Sequence, residues 1–271
     1  SEALAKVVDV QKKNDIIFHY VEVTEGELRT DSEAEFVIDL ERRLDIQRNH
    51  SATHLLDKAL KNVLKQDIKQ AGSLVDEDKL RFDFTYNKAL SYEELRALED
   101  EFNAKIREQL PIKKEYMDYK KSEELGAVAL FEDKYKDVVR VVSMGDYSIE
   151  LCGGCHVNNT AEVLIFKIKS ETSAAAGVRR IEAITGRAVY EDLIKKENTI
   201  KNIAQSLDAK VNNISSRINS LKSEIESKDT EIKRLKSQSN KDIYSELKGK
   251  IKNINGVNLL IAKFDNISID E

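Results

Sequence analysis

Cysteine and proline are nearly absent: the 271-residue chain holds two of the first and one of the second. Two cysteines, Cys152 and Cys155, cannot build the disulfide framework of a small secreted domain, and their close spacing suits a reducing compartment. No apolar run approaches the roughly 20 residues that a membrane-spanning helix needs, and no signal peptide is legible. An excess of positive charge is missing too. Against 49 acidic residues stand 44 basic ones, a net charge of −5, which excludes the whole-protein basic footprint of a strong nucleic-acid binder. Any contact with RNA must be local. The first residue is Ser1 rather than Met, which fits a piece of a longer chain. A soluble cytoplasmic protein is the expectation, with room for one large or two medium domains.

What is present changes character near residue 190. Before it, strand-like segments ("IIFHYVEV", "LRFDFTY", "DVVRVVSM", "EVLIFKIKSE") alternate with two amphipathic helices. One helix is expected to begin near His50, with Leu55, Leu56, Ala59, Leu60, Val63 and Leu64 as its apolar stripe. The other opens on a capping box, Ser91 and Glu94, buries Leu95, Leu98, Phe102 and Ile106, and stops before the lone proline, Pro111. Strands and helices mixed in this way, with short connections, read as an α+β domain. After about residue 190 glycine disappears until Gly249. There Ile200, Ala204, Leu207, Val211, Ile214, Ile218, Leu221, Ile225, Lys228, Ile232 and Leu235 recur in steps of three and four. Lys228 is the one polar interruption, of a kind that can fix register. The seam predicts a coiled coil, formed either as an antiparallel hairpin or as a homodimer contact. The stretch "NGVNLLIAKF", residues 255–264, reads as one strand of a further domain.

Three of the four histidines and both cysteines fall in two short motifs. In "NHSATHLL", His50 and His54 sit one helical turn apart and point within about 40° of each other. The apolar stripe of the same helix centres about 155° away, so the two imidazoles are not aimed into the apolar core. In "ELCGGCHV", Cys152 and His156 repeat the spacing across Gly153 and Gly154, which favour a tight turn. The two pairs offer four nitrogen and sulfur donors, the number a tetrahedral zinc site takes, and thiolate with imidazole suits zinc. Cys152 and Cys155 also form a CxxC pair. Its redox reading requires a helix-opening position in a βαβ unit, which nothing in the sequence supports. The symmetrical spacing favours Cys152 as the fourth ligand and leaves Cys155 as a lining residue or spare thiol.

Four stretches, "NHSATHLL", "KQAGSLVDEDKLRFDF", "VVSMGDYSIELCGGCHV" and "AAAGVRRIEAITG", carry a resemblance. In their order and intervals they are similar to the editing domain of alanyl-tRNA synthetases, over roughly residues 27–190, and the heptad region resembles the helical linker of that family. Freestanding alanyl editing proteins carry related motifs, and the threonyl-tRNA synthetase editing domain is a more distant relative. The resemblance implies an antiparallel-sheet, zinc-containing editing domain of the threonyl/alanyl type, followed by a long helical segment. It divides the chain into 1–47, the remainder of a β-rich, barrel-like domain; 48–189, the editing domain; 190–247, the coiled coil; and 248–271, the start of a C-terminal globular domain. The implied activity is hydrolysis of the ester that joins serine or glycine to the tRNA for alanine. The implied setting is an enzyme that attaches alanine to that tRNA, its ATP-dependent part lying upstream. Zinc falls to His50, His54, Cys152 and His156, while Thr53 and Gln70 match positions that handle substrate. Where the family usually has Thr this chain has Cys155, so no hydroxyl contact carries over to it.

Several roles stay open on the sequence alone. Zinc either holds the attacking water or anchors the substrate, and a shell closed by four protein ligands weighs against the first. Asp146 and Glu150 are nearby carboxylates with structural roles as the simpler reading. Gly153 and Gly154 are candidates to present backbone N–H groups to an oxyanion, and Arg179 and Arg180 to meet the tRNA end, with a solvated strand edge as the alternative. Lys61 and Lys65 read as solubilising, and His19 as an ordinary strand residue. The competing class is a non-catalytic, zinc-stabilised RNA-binding or dimerisation module.

Overall fold

The computed structural model describes residues 3–14, 16–129 and 137–263. The chain divides into two compact units, residues 1–188 and 189–271. The first opens with an antiparallel hairpin, β1 (Leu4–Lys13) and β2 (Ile16–Glu25), whose residues are almost all exposed. His19 lies on β2 with its ring 5.0 Å from that of Phe36.

Helix α1 spans Leu40–Leu64. It starts ten residues before the expected position and runs through the expected boundary at 47/48. Its first turns, "LERRLDIQR", have no apolar stripe to announce them; they are held by the Asp39 cap, which accepts from the Arg42 N–H at 3.0 Å. They are held also by buried polar partners: Asp45 binds Arg48 and Arg187, and Asn49 binds the Asp76 carbonyl and the Thr185 hydroxyl. The helix ends at Lys65 in the left-handed region.

β3 (Gln70–Val75) and β4 (Leu80–Thr85) form a hairpin, and α2 (Tyr92–Arg107) follows with the expected Ser91–Glu94 capping box complete. It buries Leu98, Phe102 and Ile106, and the Phe102 ring stacks on Phe166 at 3.8 Å. Next come β5 (Ile112–Asp118), the short α3 (Tyr119–Glu124), β6 (Val138–Met144) and β7 (Ser148–Leu151), then β8 (Phe166–Ala175) and β9 (Val178–Thr185). These strands pair antiparallel in two sheets of order β3-β4-β9-β8 and β5-β6-β7, with one isolated parallel bridge from Val128 to Glu150 of β7. The α+β expectation thus holds as a mixed fold with antiparallel sheets.

The core explains why α1 carries the site. Leu55, Leu56, Ala59 and Leu60 are fully buried in one cluster with Phe82, Phe84 and Ile181 of the four-stranded sheet and Leu98 and Phe102 of α2. Helix α1 also contacts β7 of the other sheet. It is therefore covered on two sides, and residues 51–57 are buried without a break. Along β6 the period-2 alternation splits the three-stranded sheet: Val142 and Met144 join the main core, while Val139 and Val141 pack with Leu151 in a second cluster.

In the second unit, α4 (Gly186–Ser206, begun in the first) and α5 (Ile214–Gly249) carry the expected seam in two pieces. Asp208 adopts φ 47°, the Asp208 N–H bonds the Gln205 carbonyl and the Ala209 N–H bonds the Ala204 carbonyl, which is a Schellman ending. The three-and-four spacing runs straight through this break, so periodicity alone could not show it. Ile218, Ile225, Ile232 and Leu235 are exposed along α5. β10 (Lys252–Ile254) and β11 (Val257–Leu259) form a hairpin over Asn255 and Gly256, both at positive φ as a type I′ turn requires. The expected strand at 255–264 is thus shorter, and residues 264–271 lie outside those described. Among the described residues no helix is long and apolar enough to cross a membrane.

Candidate metal centre

Helix α1 and the loop after β7 bring His50, His54, Cys152 and His156 together, with one donor atom of each within 4.8 Å of the others. Cys152 Sγ lies 3.4 Å from His50 Nε2 and 3.3 Å from His156 Nε2. An ideal tetrahedral zinc site with Zn–S and Zn–N bonds of about 2.3 and 2.05 Å has S···N edges of about 3.6 Å. Cys155 is a free, half-buried thiol outside this group, so the geometry selects Cys152.

Each buried histidine has its other ring nitrogen engaged. His54 Nδ1 meets the Glu150 carboxylate, and Ser148 Oγ donates to the second Glu150 oxygen at 2.7 Å. His156 Nδ1 lies 3.2 Å from Ser51 Oγ, which also accepts the Val157 N–H. The carboxylate assigns a proton to Nδ1 of His54, and His156 turns its Nε2 toward Cys152 Sγ. His54 Nε2 is left buried with no hydrogen-bond partner. A buried ring nitrogen without a hydrogen-bond partner, beside a thiol and two imidazoles, is what a resident cation would satisfy, and the residues fit zinc in number, spacing and softness.

At Cys152 and His156 the electrostatics prepare the same state. Burial opposes ionisation of Cys152, but hydrogen bonds from His156, His50 and His54 outweigh it and bring the thiol down to about 3. Burial lowers His156 to about 4, against the pull of Cys152. At His54 burial is overcome by the charge of Glu150 and the contacts of Cys152 and Glu150, which raise it to about 10, so zinc must displace a proton from this ring. Glu150, read from sequence as structural, thus orients a ligand. Glu150→Gln should weaken zinc binding about 10- to 100-fold, as loss of an outer carboxylate partner does elsewhere; competition against a chromogenic chelator measures it, and unchanged affinity would reduce Glu150 to a packing residue.

The histidines were expected to lie off the apolar core, and they do lie off the stripe. His54 is nonetheless 4 % exposed, because β7 covers that side of the helix. Thr53 is buried and its hydroxyl donates to the His50 carbonyl at 2.7 Å, leaving its lone pairs to accept. Gln70 opens the edge strand β3, half-buried, and bonds Ser73; among the described residues no hydrogen bond joins it to the four ligands. Asp146 is exposed in the β6–β7 turn.

The two glycines differ. A Cβ on Gly154 would sit 1.8 Å from His50 Cε1, whereas one on Gly153 meets nothing within 4 Å. The Gly154 N–H points at Cys152 Sγ, 3.4 Å away, and so serves the thiolate before any oxyanion. Arg179 and Arg180 form two-pronged ion pairs with Glu171 and Asp83. Sequence reasoning passed over Ser51, Ser148, Lys114 and Arg140. The last had a signal: a lone cation inside the apolar strand "DVVRVVSM".

Comparison with known proteins agrees with this arrangement. Residues 139–182, which include the whole second motif, match the threonyl and alanyl tRNA synthetase second additional domain. The chain is 44 % identical over 269 residues to the alanine–tRNA ligase of Acetivibrio thermocellus, covering 99 % of this chain and 31 % of that protein. It is 44 % identical over 258 residues to the enzyme of Clostridioides difficile, covering 95 % and 29 %. Against that of Listeria welshimeri it is 49 % identical over 207 residues, covering 76 % and 24 %. The chain therefore spans less than a third of the length of these relatives. It is a homologue of part of the alanine–tRNA ligases and carries the second additional domain shared by threonyl- and alanyl-tRNA synthetases.

Proposed function

We infer that this chain is the editing part of an alanine–tRNA ligase, a cytoplasmic enzyme, and that it hydrolyses serine and glycine wrongly esterified to alanine tRNA. The observation that carries this reading is the convergence of four zinc-type donors, from segments about a hundred residues apart, in a relative of those ligases.

The need for such a site follows from pocket energetics. A slot for one methyl discriminates a missing methylene by only about 10- to 200-fold and rejects an added hydroxyl little better. A second site that demands the hydroxyl inverts the problem, because an unpaired buried polar group is costly when alanine enters. Glycine has no hydroxyl, so its removal rests on size exclusion. Zinc, when bound, supplies a fixed positive charge that holds the amine or hydroxyl of the misplaced amino acid or polarises a water. The chain's own residues do the rest. Cys152 supplies the anionic donor, Glu150 and Ser51 fix the rings of His54 and His156, and Gly154 leaves room for His50. Thr53 and Gln70 handle the substrate. The exposed seam of α5 is the surface for a hairpin or homodimer contact.

Thr53 gives a specificity test. If its oxygen accepts from the serine hydroxyl, Thr53→Val deletes one buried partner while keeping the shape. Such a loss costs about 1–3 kcal/mol, or roughly 5- to 150-fold in rate. Seryl-tRNA hydrolysis should slow by that factor while glycyl-tRNA hydrolysis holds. Equal slowing of both would make Thr53 a positioning residue for the ester.

A further inference from the structure

The cations expected to meet the tRNA end are neutralised. Arg179 and Arg180 each hold a carboxylate with two hydrogen bonds, Arg48 and Arg187 share Asp45, and Lys61 holds Asp57. Two others beside the metal centre are not. Arg140 Nη1 donates to the carbonyls of Cys152 and Gly154, at 2.9 and 2.7 Å. Lys114 Nζ donates to the carbonyl of His156 at 3.1 Å and to Asn158 Oδ1 at 2.7 Å. Alternate carbonyls of the metal-binding loop, 152, 154 and 156, thus rest on two adjacent cations. Among the described residues no carboxylate lies within ion-pair distance of either, and no other hydrogen bond engages them.

Strand register explains the pairing. Lys114 opposes Val142 and Arg140 opposes Tyr116 across β5 and β6, so both cations share the sheet face that carries Val142 and Met144. That face is apolar where it joins the core. It becomes cationic where the loop with Cys152 leaves the sheet. Both side chains are half-buried, and burial together with the charge of Arg140 lowers the pKa of Lys114 against the opposing charge of Glu162. Carbonyl and amide acceptors are neutral, so the two charges are held in place without a direct ion pair, with Glu162 acting on Lys114 only at longer range. The Nε and Nη2 donors of Arg140 and the third proton of Lys114 stay available, in the form that grips a phosphate.

We propose that Lys114 and Arg140 form the phosphate clamp that holds the 3′ end of an RNA beside the metal centre. The inference rests on the proposed function for its substrate class: an aminoacyl ester on a terminal ribose has its nearest phosphate one sugar away. The clamp joins two tasks, since the cations that grip the backbone also brace the loop presenting Cys152 and His156.

The test uses the full chain with zinc and two RNA probes, an acceptor-stem minihelix of alanine tRNA ending in CCA and the same minihelix without those three nucleotides. Binding is followed by fluorescence anisotropy over a series of KCl concentrations, with zinc content measured on every preparation. Lys114→Gln keeps a hydrogen-bond donor and removes the charge. At matched zinc content it should weaken binding of the intact minihelix about fivefold and make log K against log salt shallower by about 0.7. The truncated minihelix should bind parent and variant alike. Arg140→Gln should act the same way and Arg140→Lys should recover part of the loss. If Arg140→Gln sheds zinc, the Lys114 variant carries the test. Equal weakening on both probes, or none on either, overturns the clamp. Seryl-tRNA hydrolysis by the parent separates the two inferences. A charge effect specific to the CCA end without hydrolysis sinks the editing function and leaves the clamp. Hydrolysis without a charge effect does the reverse.

Discussion

Cys152→Ala should bind zinc at least about 100-fold more weakly than the parent chain, while Cys155→Ala should hold it undiminished. Cys152 Sγ is the one anion among the four donors and lies within 3.4 Å of two imidazole nitrogens. Without it, three imidazoles alone face the ion, and His54, whose charged form Glu150 favours, must still give up a proton. Metal analysis after dialysis against a weak chelator reads the difference. The variant should also lose the stabilisation that added zinc confers, which for the parent grows with the logarithm of zinc concentration above the dissociation constant. Zinc retained in Cys152→Ala and lost in Cys155→Ala would mean that the wrong cysteine has been assigned.

Gly154→Ala should be nearly as damaging, and Gly153→Ala should not. The new methyl would lie 1.8 Å from the His50 ring, so either the ring leaves the cluster or the loop lifts away with Cys152. Losing a ligand should cost at least as much as the roughly 10- to 100-fold that loss of an outer partner costs. At Gly153 the added methyl meets only open space, and the change should stay within about 0.5 kcal/mol. Chelator competition on the two variants makes the comparison internal. Equal effects would mean that both glycines serve loop flexibility and that the close approach to His50 does not constrain the site.

The cluster of His50, His54, Cys152 and His156 was legible in the sequence because metal ligation would demand particular side chains at particular spacings. Two HxxxH-like pairs, one on a helix and one across a glycine turn, converge whatever the intervening fold. Helix α2 was legible for a similar reason, its cap and stripe being local. The start of α1 was not, because Asp45 and Asn49 are buried against partners far away in the chain, Arg187 and Thr185, and burial of that kind leaves no apolar period. The end of α4 was hidden because one residue, Asp208, turns left-handed inside an unbroken heptad count. The surroundings of the cations were not legible from sequence alone. Arg180 stands in register with Asp83 on β4, whereas Arg140 donates to the carbonyls of Cys152 and Gly154; the sequence does not show which cation meets a carboxylate and which meets carbonyls.

The central claim, that the chain is a zinc-dependent deacylase for misacylated alanine tRNA, is tested most directly by incubating it with seryl-tRNA and alanyl-tRNA made on the same transcript. The parent chain should release serine far faster than alanine. Zinc removal or Cys152→Ala should bring serine release down to the spontaneous rate. Serine release no faster than in buffer, from a preparation holding about one zinc per chain, would contradict the claim and leave the centre as a structural zinc site.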